Sequence, residues 1–297
     1  MAKITDLHAI RSAALRNRTT AYFLTTVDSA DPDYRHTTFW SLHKGDFGGD
    51  GFQWTAISCC IITNPKEQCI TLGDDGHINL LGSGEDLYEQ IPEPPDRSGD
   101  LREVRAIDGL PYVVGANRQC FRRPKPGVWE RFDQGFPPDG PDLPGLESIH
   151  GFSAAEIYAV GWNGEIWERS TRTKKVWKLI GQPTSVAFLR VLCAGDGVAY
   201  AAGQGGVIFR GRGKTWELIP HEDTTDDIHD LEWFDGKLWI STMQRLYTLD
   251  GDKLVLVDFD GDPPDGCHHL STADGILWAI GAKDVMQFDG TEWTRVL

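Results

Sequence analysis

Residues 156–180 read EIYAVGWNGEIWERSTRTKKVWKLI. Three short β-rich runs stand out in it: IYAVG, EIWERS and VWKLI. The first two flank Asn163-Gly164, a pair that tolerates the positive φ of a tight hairpin, and a two-residue turn is predicted there. A polar loop separates the second run from the third. The stretch reads as three strands of an antiparallel meander.

The rest of the chain repeats this unit. With Gly161 as a register mark, the equivalent positions are Gly73, Gly115, Gly203, Thr242 and Gly281, spaced 39 to 46 residues apart. Three residues before the mark stand Ile70, Tyr112, Tyr158, Tyr200, Trp239 and Trp278. Asp-Gly pairs precede it in four copies, at Asp108, Asp196, Asp235 and Asp274, which is hairpin chemistry joining an inner strand to the marked strand. Five residues after it come Ile78, Cys120, Ile166, Ile208, Tyr247 and Met286, and further on an outer-strand residue such as Trp129, Trp177, Trp216 or Trp293. A period of about 40 residues denotes a four-stranded propeller blade.

The expectation is an all-β chain: a single β-propeller domain over 1–297 with seven four-stranded antiparallel blades. They fall near 1–56, 57–92, 99–134, 145–181, 186–220, 226–259 and 266–297. Six carry the register, and the first is degenerate. Its later strands are read at 22–27, 36–43 and 52–54, and 7–15 fits either an inner strand or a short helix. The last blade comes wholly from the C-terminal part, which leaves ring closure to packing or to an additional N-terminal strand.

In repeats such as IYAVGWNGEIW…VWKLI, AYAAGQGGVIF…GKTWELI and LWAIGAKDVMQFDGTEW the chain resembles bacterial β-propellers of the BNR, photosystem-assembly-factor-like type, over roughly 60–297. Segments 211–216 and 289–293 look like worn Asp-box turns without the Ser-x-Asp-x-Gly-x-x-Trp pattern. The resemblance implies architecture and carries over no catalytic set.

Composition narrows the function classes. The formal net charge is −15, which disfavours a nucleic-acid partner and favours a protein with a basic surface. No apolar run reaches the roughly 18 residues of a membrane span, so no membrane partner is expected. The opening MAKITDLHAIRSAALRNR lacks the apolar block of a signal peptide, and a cytoplasmic product is expected. Six cysteines without CxxC pairing read as reduced, mostly packed thiols. No GxSxG, HExxH or GxxxxGK[ST] is present, and GQGG at 203–206 falls on a strand-to-strand turn rather than before a helix. No catalytic residue and no metal site are assigned.

Two sets of polar residues remain. Inner strands line a propeller's channel, and thirteen residues before the mark stand Arg102, Arg190, His229 and His268, followed one position later by Glu103, Asp230 and His269. Arg102, Arg190, His229, His268 and His269 are the channel-mouth candidates. They fit either a small-ligand or metal site or a hydrated channel whose side chains satisfy one another.

The second set is acidic. Loops joining one blade's outer strand to the next blade's inner strand emerge on one face, at 93–100, 133–147, 221–230 and 258–265. They hold Glu93, Asp96 and Asp100; Asp133, Asp139, Asp142 and Glu147; Glu222, Asp223, Asp226, Asp227 and Asp230; and Asp258, Asp260, Asp262 and Asp265. Arg97 is the lone Lys or Arg among these carboxylates, whereas loops 169–175 and 210–214 make the opposite face more basic. The alternating carboxylates of 258–265 could converge on calcium, although Gly261 stands at the fourth position, Pro263-Pro264 intervenes and no later Glu follows. Without that, no cofactor is expected.

The reading these features favour is a non-catalytic protein-binding propeller using its acidic face, most specifically a cytoplasmic inhibitor or immunity protein that neutralises a basic toxin or enzyme. The alternatives are a metal- or ligand-dependent lyase or hydrolase at the channel mouth, and an assembly factor for a larger complex.

Overall fold

The computed structural model describes residues 4–31, 33–93, 99–137 and 144–297. They form seven antiparallel sheets of four strands, each sheet built from strands consecutive in sequence. The inner strands, in blade order, are His8–Asn17, Ala56–Ile62, Leu101–Ile107, Leu146–Ser153, Phe188–Cys193, Asp230–Phe234 and His269–Ala273. Asp108, Asp235 and Asp274 adopt φ of 50°, 50° and 48°, each followed by a left-handed glycine, and turn inner strands into marked ones as the Asp-Gly chemistry demands.

The recurrent glycine has a reason other than turning. Gly161 is extended, with φ −176°, and a Cβ there would lie 2.1 Å from the Gly145 carbonyl oxygen of the chain entering the blade. The same crossing recurs where a Cβ on Gly203 would meet Ala187 O at 2.1 Å and one on Gly281 would meet Gly266 O at 2.2 Å. Close backbone approach therefore fixes the repeat.

The Asn163-Gly164 turn differs from the two-residue hairpin expected. Val160 pairs with Ile166, so the connection runs over 161–165, with Asn163 at φ 59° and Gly164 at φ 65° inside it. The outer strand is Lys178–Gly181 and starts after Trp177. That indole is 1% exposed, donates from Nε1 to Phe132 O at 2.6 Å and stacks on Phe136, which locks blade 4 against blade 3.

In blade 1 the segment left open between strand and helix is the strand His8–Asn17, and the outer strand is Asp46–Phe52 rather than 52–54. Blade 7 is entirely C-terminal, and packing closes the ring. Ile10 N donates to Ala282 O at 2.8 Å, Leu15 N donates to Ser271 Oγ at 2.9 Å, and Phe23 stacks on Trp278. Ile4, Ile10, Phe23, Trp278 and Leu297 share one apolar cluster across the seam.

Candidate functional site

A belt of polar contacts runs round the inner strands, from each blade to the next. Ser12 Oγ lies 3.7 Å from Cys59 Sγ, and Ser58 Oγ accepts from Val104 N at 3.2 Å. Glu103 Oε2 accepts from Ile149 N at 2.8 Å, and Ser148 Oγ accepts from Val191 N at 3.1 Å. Arg190 Nε lies 2.8 Å from Asp230 Oδ1, off the hydrogen-bonding angle, so that contact is an ion pair. Asp230 Oδ2 accepts from Leu270 N at 3.0 Å, and His269 Nε2 donates to Ala13 O at 2.8 Å, returning to blade 1. Arg190 also pairs with Glu103. Four of the predicted channel groups, Glu103, Arg190, Asp230 and His269, thus belong to the blade-to-blade belt.

The electrostatics follow from this geometry. Burial alone would raise the Asp230 carboxyl, but Arg190 and His269 outweigh it and hold the group below the usual carboxylate range. Burial pulls His269 down, and Asp230 at 2.7 Å more than offsets it, leaving the imidazole above its ordinary value. Burial lowers His229, and takes His268 down to about 4, with His269 adding to the effect. Deeper in the channel, burial raises Glu232 and, with Arg105, lowers His150.

Arg102, His229 and His268 do not share the level of Arg190, contrary to the single-register reading. Leu101 pairs with Gly115 and Glu103 with Val114, so Arg102 is an extra residue in a β-bulge. Arg11, Ile57, Glu147 and Leu189 are extra in the same way in their own blades. With His229 and His268, which directly precede the inner strands of blades 6 and 7, they give one residue per blade around the mouth of a cavity of about 470 Å³. Bulges re-aim side chains, and five at one level make a collar. Counting back from the mark mixed two levels because the turn from inner to marked strand is longer in blade 5, where Cys193 pairs with Ala199, than the two-residue turns of blades 3, 6 and 7.

Every inner strand begins where a blade-connecting loop ends, so the collar sits at the centre of the loop face. The turns between second and third strands share that face: Leu101 N donates to Asp74 O, Trp162 N to Gly145 O and Cys267 N to Met243 O. This adds Asp74 and Asp75 to the carboxylates there, with Arg35 paired to both. With Glu93 and Asp100 they edge a cleft of about 170 Å³.

Of the carboxylates expected on this face, Asp96, Asp139 and Asp142 lie outside the described residues. Glu222, Asp223, Asp226, Asp227, Asp258, Asp260, Asp262 and Asp265 are all exposed. Asp223 Oδ2 and Asp227 Oδ1 each accept a backbone N–H, from Leu254 and Gly205, and so brace their loop. Asp230 is buried in the belt and leaves the set. Asp262 faces Arg295 at 2.7 Å, which opposes the convergence a calcium loop requires. Among the described residues no three His, Cys, Asp or Glu groups come together as a metal site. On the opposite face the arginines are largely paired: Arg172 and Arg212 clamp Glu156 at 2.6 and 2.7 Å and hold its carboxyl down to about 2.

Sequence reading missed Arg11, the mouth position of Glu147, and Trp162. Trp162 is 52% exposed and donates from Nε1 to Glu147 Oε1 at 2.6 Å. An aromatic beside a turn glycine was the available signal, and it was absorbed into the repeat.

The WD40 β-propeller domain of Doa1 superposes with a TM-score of 0.66 at 12% identity, covering 97% of this chain and 92% of that one. YCF48 bound to D1 peptide superposes at 0.67 and 15%, covering 93% and 90%. These likenesses, with the seven sheets, place the chain among the seven-bladed β-propellers. No protein-family model matches it. The immune protein Tsi7 of Pseudomonas aeruginosa is 38% identical over 305 residues, covering 99% of each chain. The chain belongs to the family of that immune protein.

Proposed function

We propose that this chain is a non-catalytic immunity protein that neutralises a toxin by covering a basic surface of it with the acidic loop face. The 38% identity to the immune protein Tsi7 across 99% of both chains carries the reading. The choice of face is supported by the exposed carboxylates of 222–227 and 258–265 and by the cleft at Asp74, Asp75, Glu93 and Asp100. Like charges held on a rigid ring orient an incoming cationic surface before contact. A cytoplasmic site of action belongs to the same reading, because all six cysteines are free thiols and suit a reducing compartment.

The test is growth protection by co-expression with the toxin, comparing the wild type with Glu222, Asp226, Asp260 and Asp265 together changed to Lys. These four spare the loop-bracing Asp223 and Asp227. Protection is expected to be lost while the melting temperature holds. Full protection by the reversed variant would remove the acidic face from the reading.

A further inference from the structure

The collar at the channel mouth sets two arginines, Arg11 and Arg102, beside one carboxylate, Glu147, at the centre of the carboxylate-rich loops. Arg102 carries a side chain 40% exposed, with Glu147 Oε1 and Asp100 Oδ2 both at 3.8 Å, beyond hydrogen-bond reach. Among the described residues none hydrogen-bonds its guanidinium. In blade 1, the Arg11 side chain makes one hydrogen bond within the described residues, from Nε to Thr26 Oγ1 at 3.1 Å. His229 and His268 add imidazole nitrogens to the rim, and the cavity behind leaves room for an inserted side chain. Trp162, a half-exposed aromatic, shares Glu147 Oε1 with Arg102. Partly exposed Trp and Arg next to a pocket are the residue types on which interface affinity concentrates.

We propose that this mouth is the anchor of the interface and takes a carboxylate of the partner, an Asp, Glu or terminal carboxyl on a protruding segment, between Arg102 and Arg11 with its flank against Trp162. The inference rests on the loop face being the toxin-binding surface and adds what the centre of that surface recognises. An acidic periphery draws in any basic protein, so it discriminates poorly. Two arginines in the socket at its centre disfavour a uniformly basic surface and accept one that presents a single acid in the right place, which is specificity by difference. Guanidinium–carboxylate pairing supplies direction as well as charge. The two zones also divide the kinetics: rim charges set association, and a desolvated central pair sets dissociation.

The experiment measures binding rates of the toxin, inactivated by substitution, on the immobilised chain. Arg102→Glu is expected to speed dissociation about tenfold or more with association changed by less than about threefold, and Trp162→Ala to act in the same direction. Arg102→Gln, which removes charge without adding a repulsive one, gives a smaller effect of the same sign. If the partner is basic over the mouth, Arg102→Glu tightens binding, and that result overturns the proposal; so does unchanged dissociation in both Arg102 variants. The four-carboxylate reversal is run alongside. If it weakens association while the Arg102 variants bind as wild type, only the socket fails; if it leaves binding intact, the loop-face reading itself fails. A toxin Asp or Glu changed to Arg that restores binding to Arg102→Glu identifies the inserted carboxylate. Melting curves confirm that each variant is folded.

Discussion

His269 places Nδ1 2.7 Å from Asp230 and Nε2 2.8 Å from Ala13 O, so one imidazole joins blade 7 to both neighbours. The sign of its pH dependence follows. Asp230 is depressed in the fold, so its contribution is present above the unfolded value of about 3.9 and is lost as pH falls through the lowered folded value. His269 is raised, so its contribution is complete below about 6.5 and is lost as pH rises through the raised value. The pair therefore stabilises most between about pH 4 and 6.5. His150, His229 and His268 run the other way, because each is held below its ordinary value. Comparing the wild type with His269→Gln isolates one of these trends. From about pH 6 to 8 the wild type should lose more melting temperature, or gain less, than the variant. Parallel pH traces would contradict the assignment.

The belt mixes links of different strength. Asp230→Ala leaves Arg190 with Glu103 alone, removes the acceptor of the Leu270 N–H and takes the carboxylate from His269, and should cost about 3–5 kcal/mol in urea denaturation, the cost of breaking a buried ion pair from one side. Ser148→Ala removes one hydrogen bond to Val191 N and should cost about 1 kcal/mol. Equal losses would mean that the charged links contribute no more than the neutral ones.

Two glycines separate crowding from backbone conformation. Gly161→Ala forces a methyl to within 2.1 Å of a carbonyl oxygen in extended backbone and should cost about 3 kcal/mol or more. Gly205→Ala meets nothing within 4 Å but sits at φ 66°, and should cost about 1 kcal/mol. Chemical denaturation of the two variants checks the order.

Encounter with the toxin should depend on salt. Raising ionic strength from about 0.05 to 0.5 M is expected to slow association about tenfold with little change in dissociation. Stopped-flow mixing measures it, and an association rate flat across that range would contradict steering by this face.

Blade number, order and the residues packed between blades were legible because the close approach at the marked glycine and the aromatic three residues earlier are forced in nearly every copy. Asp46–Phe52 was not. Its DFGGDGF run has almost no apolar signal, since a Cβ on Gly49 would lie 2.7 Å from the Trp40 ring and the strand is small so that the indole can lie across it. The channel was legible in residue type but not in level, because the turn between Cys193 and Ala199 is longer than the two-residue turns of blades 3, 6 and 7 and shifts the count back from the mark by one. The acidic face was visible as charge. What a string of letters could not reveal is which carboxylates are spent on the protein itself, as Asp230 and Asp262 are.

Closing the circle without exchanging a strand makes this molecule a split washer rather than a buckled belt. Among the described residues, the gap between blades 7 and 1 is held by side chains and by one backbone–backbone bond, Ile10 N to Ala282 O, with no shared sheet across it. Twisting or pulling should open the ring there before any blade unravels. A partner that lies over both lips of that gap would then act as a clamp, and the bound complex would resist unfolding by more than the contacts alone supply.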